Sequence, residues 1–381
     1  MLNPVRWLGA TQMFVRMLLK LAMVGKNKAA PANVQHAPAV LEHGARALCD
    51  VRPGDKVMWG YWHSGRATMP GYCEFCVRTW LARNPGWKVV VLDEGTLSRY
   101  LDPSDLPSTF GSLKVQHRSD IVRVAVLRRF GGIYMDVSTF CLQGFERIFT
   151  MRGGPNLLLS GPTDGAFTAD AAAHFPNNAL LIARRPGDPI LGEWHRRVLA
   201  YAEHPCGTID EMEKDPGFAR VRPFLRDPGL GVLKPSVTYL AYLFLLMDLL
   251  AYDDAWTDRV ASGVGLLPTG SWTFDFFVLL DAPADGVFAW HFAGFLRRIV
   301  GWLAVRWGDD EGRARAICQR VSVVKSSSDG NVEMHKPADW FVHPNRRSTL
   351  ARVWRAAADP HSGQPQASLD GMQPWPRGRL K

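Results

Sequence analysis

The chain has 381 residues, 47% of them apolar and 21% charged, and a formal net charge of +9. Length and apolar content exclude a disordered or fibrous chain and leave one large domain or two modest ones. The basic balance suits a polyanionic partner: nucleic acid, an anionic membrane surface or a diphosphate-bearing substrate.

The chain opens on an unusual segment. Residues 4–26 are mostly apolar but punctuated by Arg6, Arg16 and Lys20, three charges that share one face at about 100° per residue. Such a basic amphipathic helix lies in a membrane interface or packs on the following domain, and the sequence leaves both open. No uncharged run reaches the ~18 residues that a membrane span needs. Residues 25–38 read as a linker, which sets off 1–38 from a domain spanning 39–355.

Within that domain a short helix is expected at 39–49 and a first strand at 56–62. Residues 70–84 carry apolar side chains at helical spacing, from Tyr72 and Cys73 to Trp80 and Leu81, and Asn84-Pro85-Gly86 stops that helix. A buried strand at 87–93 follows, and the β-α-β order makes the two strands parallel. A short helix at 96–100, a helix at 120–130 and a core strand at 132–137 come next. Strands are expected at 156–160, 179–183, 263–267 and 287–291. Helices are expected at 189–204 and, long and apolar, at 236–251. From 356 to 381 the composition predicts a disordered basic tail.

Six scattered cysteines (Cys49, Cys73, Cys76, Cys141, Cys206 and Cys318) form no disulfide ladder, which fits a reducing cytosolic compartment. Cys73 and Cys76 have CxxC spacing but lie in a helical run without a second pair nearby. Packing is therefore a simpler role for them than a metal or redox site.

The most informative stretch is Ser119-Asp120-Ile121-Val122-Arg123 with Arg129-Phe130-Gly131-Gly132-Ile133-Tyr134-Met135-Asp136-Val137-Ser138. It predicts a helix, a Gly-Gly turn and a strand delivering a carboxylate to the C-terminal edge of a parallel sheet, where α/β proteins bind ligands. Asp120 and Arg123, three apart, project from one helix face, an arrangement that a surface ion pair also explains. On a continuing strand Asp136 and Ser138 would share a face, putting a hydroxyl where a second carboxylate would bind a hard cation better.

This stretch resembles the donor-binding core of nucleotide-sugar glycosyltransferases with a DxD-type motif. More narrowly, it resembles the sugar-binding-region family that includes capsular polysaccharide synthesis proteins. The likeness extends in layout over roughly residues 56 to 295. It implies an α/β, GT-A-like (Rossmann-like) fold, with a mostly parallel central sheet flanked by helices behind the N-terminal amphipathic helix. It implies a nucleotide-diphosphate sugar donor, UDP-linked, and a divalent metal, Mn²⁺ or Mg²⁺. The resemblance assigns Asp136 to metal and ribose, Ser138 as an assisting metal oxygen, and Asp120 and Arg123 to the donor sugar and phosphates. Tyr134 falls in the same donor site. Trp62, and after it Trp59, match a tryptophan that stacks on the base in relatives. Asn178 is a sugar or acceptor contact or a turn amide, and Asp93 contacts ribose or merely ends its strand. Trp290-His291 and His335-Lys336-Pro337 fall where relatives carry a basic group near the diphosphate. Ser138 departs from the DxD pattern and weakens the metal expectation.

The implied activity is hexose transfer, with retention, to a bacterial surface polysaccharide or a lipid-linked glycan acceptor. The expected location is cytoplasmic, including the inner face of the cytoplasmic membrane, with an anionic membrane surface as a further partner. Two alternatives stay open: a non-catalytic membrane-associated scaffold with a degenerate donor site, and an enzyme of the same fold that glycosylates protein. Nucleic acid is not an expected partner, because the basic residues are dispersed and no recognition motif occurs.

Overall fold

The computed structural model describes residues 49–161, 177–225 and 238–268, and the short segments 273–278, 287–288, 323–326, 337–339, 349–359 and 373–374. The expected amphipathic helix, the linker, Trp290-His291 and His335-Lys336 lie outside the described residues.

The strands of the main sheet are β1 (Val57–Tyr61), β2 (Lys88–Leu92), β3 (Gly132–Met135), β5 (Leu157–Gly161), β6 (Asn177–Ala183), β7 (Val264–Pro268) and β11 (Gln373–Pro374). They lie in the order β11-β7-β5-β6-β3-β1-β2. β2, β1, β3, β5 and β7 run one way, and β6 and β11 run against them. A smaller sheet takes β4 (Thr139–Cys141), β8 (Thr273–Val278), β9 (Val287–Phe288) and β10 (Val323–Ser326) in the order β4-β10-β8-β9.

Alternation along the central strands separates two cores. Trp59 and Tyr61 of β1, Tyr134 of β3, Leu181 and Ala183 of β6, and Leu157 and Leu159 of β5 enter one core. Met58, Ile133 and Met135, Leu180 and Ile182, and Leu158 enter the other. Successive side chains point to opposite faces, so strands buried on both sides read as continuous apolar runs. The first core is covered by α2 (Val115–Phe130), α3 (Pro189–Glu203) and α4 (Ala241–Met247). The second is covered by α1 (Gly71–Arg83) and α5 (Thr349–Ala358), where Phe75 of α1 meets Trp354 of α5 with ring centroids 6.2 Å apart. The result is the expected three-layer α/β arrangement with a mostly parallel central sheet.

Local chemistry fixes the boundaries. Pro189 starts α3, and the Asp188 carboxylate accepts from the Ile190 and Leu191 amides at 2.9 and 3.1 Å, satisfying orphan donors of the first turn. Asn84 closes α1: its side chain donates to the Trp80 carbonyl at 3.0 Å and accepts from the Phe145 amide at 2.8 Å. α2 starts at Val115, five residues earlier than the sequence predicts, and it ends at Gly131 with φ 73°. Gly132 follows with φ 96°, and a Cβ there would sit 2.4 Å from the Val57 carbonyl oxygen. No side chain fits that approach, so the Gly-Gly pair sets where the helix stops and β3 begins.

Two expectations are corrected. β3 ends at Met135, and 136–138 form a turn into β4, not further strand. The sharing of one strand face by Asp136 and Ser138 therefore does not hold. The chain from 356 onward contributes order at two places: α5 runs to Ala358, and Gln373–Pro374 pairs with β7.

Candidate active site

Three elements converge at the C-terminal edge of β3. The turn after β3 carries Asp136, α2 carries Ser119, Asp120 and Arg123, and the start of β6 carries Asn178. Because β6 is antiparallel to β3, its first residues meet the last residues of β3. The Asp136 amide donates to the Ala179 carbonyl at 3.0 Å.

Arg123 is the hub. Its guanidinium is 5% exposed and lies 3.2 Å from both Asp120 Oδ1 and Asp136 Oδ1 through the same Nη2. That nitrogen also donates to Ser119 Oγ at 3.1 Å, Nε donates to the Ser119 carbonyl at 3.3 Å, and Nη1 donates to the Asn178 carbonyl. The group sits 4.9 Å above the Tyr134 ring, a cation–π contact strengthened by burial. Tyr134 is fully buried, and its hydroxyl lies 2.9 Å from Ser119 Oγ. Burial pushes its phenol well above its ordinary range, against the pull of Arg123. Tyr134 therefore acts beneath the guanidinium as a platform.

Asp120 Oδ1 also accepts from Asn178 Nδ2 at 2.7 Å. Asp120 is 10% exposed and Asp136 is 22% exposed, so Asp136 is the carboxylate more open to an incoming ligand. Asn178 is thus part of the constellation, through a side-chain bond to one acid and a main-chain bond to the arginine. No spacing signal linked it to either of these partners.

The tryptophans separate. Trp59 has no exposed surface, and its indole donates to the Gly131 carbonyl at 3.0 Å. It is a core residue bracing the Gly-Gly turn, which corrects its place as a base-stacking candidate. Trp62 is half-buried just beyond β1, with Nε1 donating to Thr68 Oγ1 at 3.1 Å. By the register that pairs Trp59 with Tyr134, it follows Tyr61, the residue level with Asp136, at the same sheet edge. Asp93 directly follows β2 on that edge, accepting from Thr96 Oγ1 at 3.0 Å, and its carboxylate lies 3.3 Å from where a Gly65 Cβ would be. Next to it, Glu94 pairs with Arg118 and accepts from the Tyr61 hydroxyl at 3.5 Å. Burial pushes the Tyr61 hydroxyl up to about 12. Sequence reading missed Ser119, Arg118 and Glu94 as site neighbours. The one available signal was that Arg118 and Ser119 abut Asp120 at the start of the motif.

Among the described residues, no group of three His, Cys, Asp or Glu side chains gathers as a metal cluster. The donors present are one partly open carboxylate, Asp136, and a half-buried hydroxyl, Ser138. That set does not form a protein cage, but it fits an ion of the magnesium type, which takes one or two carboxylates and completes its shell with substrate phosphates and water.

A doubly covered α/β sheet with an arginine and two acids at its C-terminal edge offers a fixed cation to an anion and acceptors to neighbouring hydroxyls. Residues 45–206 match the family described as capsular polysaccharide synthesis protein. The chain is 34% identical over 210 residues to the O-glycosyltransferase braB of Annulohypoxylon truncatum, covering 42% of this chain and 45% of the relative. It is 29% identical over 195 residues to the O-glycosyltransferase PaGT of Phomopsis amygdali, covering 45% of each. The chain thus spans less than half the length of these curated relatives. A solved galactosyltransferase LgtC, in complex with donor and acceptor sugar analogs, is 12% identical over 79% of this chain and 95% of that one, with a TM-score of 0.34.

Proposed function

We infer that the chain is a glycosyltransferase that moves a hexose from a nucleotide-diphosphate sugar, UDP-linked, to a hydroxyl of its acceptor. The observation that carries this reading is the Arg123 nitrogen held 3.2 Å from both Asp120 and Asp136 at a sheet edge. A fixed cation there suits a diphosphate, and the flanking acids suit sugar hydroxyls. The fungal relatives named O-glycosyltransferases support transfer to oxygen. A surface polysaccharide or lipid-linked glycan remains the acceptor that we propose.

In this reading Arg123 binds the donor phosphates and Asp120, steadied by Asn178, accepts from sugar hydroxyls. Asp136 and Ser138 would hold a divalent ion, Mn²⁺ or Mg²⁺, and that ion when bound supplies positive charge against the leaving diphosphate. The bond from the sugar C1 to the phosphate oxygen breaks and the nucleoside diphosphate leaves with its electron pair. A bond from the acceptor oxygen to C1 forms, and the acceptor proton passes to a leaving phosphate oxygen. Delivery to the same face gives retention and requires no protein nucleophile.

Calorimetric titration with UDP, in Mn²⁺ and in EDTA, tests the site in the wild type and in Asp136→Asn. Metal-dependent binding that the substitution abolishes is the expected result. Failure of UDP, GDP, CMP and dTDP alike would sink the reading in favour of a non-catalytic scaffold, which the turn at Asp136-Val137-Ser138 favours. Membrane-surface binding by residues 4–26 is a separate proposal, tested by co-sedimentation with anionic vesicles. Among the described residues no helix is long and apolar enough to cross a membrane.

A further inference from the structure

Tyr242 is a buried polar residue that the reaction above does not use. It lies in the first turn of α4 with no exposed surface, and its carbonyl accepts from Trp194 Nε1 at 3.0 Å, which pins α4 to α3. Its ring meets Tyr201 edge-on at 5.6 Å and His117 edge-on at 5.0 Å. His117 precedes Asp120 by three residues on α2, so the ring packs on the α2 face that carries Asp120. Among the described residues the Tyr242 hydroxyl has no hydrogen-bond partner. A phenylalanine would fill the same space without the desolvation cost of an orphan hydroxyl, so that hydroxyl calls for a partner in another state of the site. Burial first, and then the Asp120 charge, hold the phenol well above its ordinary range. The hydroxyl is therefore a neutral donor at physiological pH, within electrostatic reach of that carboxylate.

At the site itself, Asp120 Oδ1 accepts from Asn178 Nδ2 at 2.7 Å and faces Arg123 Nη2 at 3.2 Å. A donor diphosphate competes for that same guanidinium. We propose that Tyr242 is a positioning residue for the donor sugar: as Arg123 turns to the diphosphate, the Tyr242 hydroxyl becomes the replacement donor to Asp120 and holds this carboxylate towards the sugar hydroxyls. This deepens, and rests on, the nucleotide-sugar reading.

The test compares wild type with Tyr242→Phe, Asp120→Asn and the double variant. Each is titrated in Mn²⁺ with UDP and with UDP-glucose, UDP-galactose and UDP-N-acetylglucosamine, and its thermal midpoint is recorded. Tyr242→Phe is expected to melt at or above wild type and to bind UDP unchanged. It should lose about tenfold or more of the extra affinity that the preferred sugar confers, the scale of a hydrogen bond to a charged group. In the Asp120→Asn background the same change should add nothing, because the hydroxyl acts through that acid. Raised stability with an unchanged sugar increment overturns the proposal, as does an additive loss in the double variant. If wild type binds neither UDP nor any UDP-sugar, the nucleotide-sugar reading falls as well. If wild type discriminates and Tyr242→Phe discriminates equally, the role of Tyr242 alone falls.

Discussion

Arg123 reaches Asp136, thirteen residues further along the chain, with one guanidinium nitrogen 3.2 Å from the carboxylate oxygen. The helix that carries Arg123 and the strand that leads to Asp136 are joined by the Gly131-Gly132 turn, so the contact closes a loop across the sheet edge. Asp120 shares the same nitrogen. Removing the cation leaves two acids facing each other at a nearly buried site.

Arg123→Ala should therefore abolish donor binding and destabilise the domain by about 3 kcal/mol, the scale for stranding a buried charge. Chemical denaturation followed by intrinsic fluorescence reads the stability. Arg123→Lys should recover part of the stability but little of the binding, because an ammonium cannot reproduce the planar fork.

Ser138→Asp should tighten Mn²⁺ binding, on the order of tenfold, by adding a second carboxylate beside Asp136. Titration calorimetry with the metal alone measures it. An unchanged affinity would mean that the turn holds position 138 away from the ion.

Gly132→Ala should cost about 3 kcal/mol or more and lower soluble yield. A Cβ there lies 2.4 Å from the Val57 carbonyl and 2.7 Å from Val57 Cγ1, at φ 96°, and both the contact and the dihedral oppose it. A thermal midpoint equal to wild type would show that the turn is looser than described.

Stability should fall on the acid side. Burial holds the His117 and His195 imidazoles below the ordinary 6.5. For His117 Lys114 adds to this, while for His195 the Asp105 carbonyl pulls the other way and Arg128 adds. The folded chain thus resists protons that the unfolded chain takes up near pH 6.5, so this contribution is intact above that pH. It is lost as pH falls from there through the lowered folded values. Denaturant midpoints at pH 7.5 and 5.5 report it, and equal midpoints would refute it.

A neutral thiol reagent at pH 8 should leave three cysteines untouched in the folded protein. Cys73, Cys76 and Cys141 are at most 2% exposed, and burial pushes the Cys73 thiol up to about 12 and the other two upward as well. Reactivity needs the thiolate. Mass spectrometry before and after unfolding distinguishes protection from absence of the thiol.

Much of this frame was legible in the sequence because it is written in local signals. Apolar spacing marks α1, the Asn84-Pro85-Gly86 stop ends it, and the Gly-Gly pair marks the junction of α2 with β3. Asp120, Arg123 and Asp136 stood out through the resemblance that their stretch carries. What escaped is what only tertiary contact decides. Trp59 and Trp62 are three residues apart in similar surroundings, yet one braces the core through Gly131 and the other stands at the edge. The start of α2 was set five residues late because Val115 to Arg118 are held helical by packing, with His117 against Tyr242. β4 and β10 escaped because each needs the other as a partner.

The reversed direction of β6 has a consequence for how such a site can change. In a sheet whose strands all point one way, every contribution to the rim comes from where a strand stops. Here Asn178 arrives from where a strand starts, and it holds Asp120 through its side chain and Arg123 through its carbonyl. The start of β6 therefore feeds that rim directly. Replacing Asn178 would alter how Asp120 and Arg123 are held while the chain from α2 through the Gly-Gly turn to β3 stays as it is. Two charged groups of α2 thus answer to a residue more than fifty positions further along the chain.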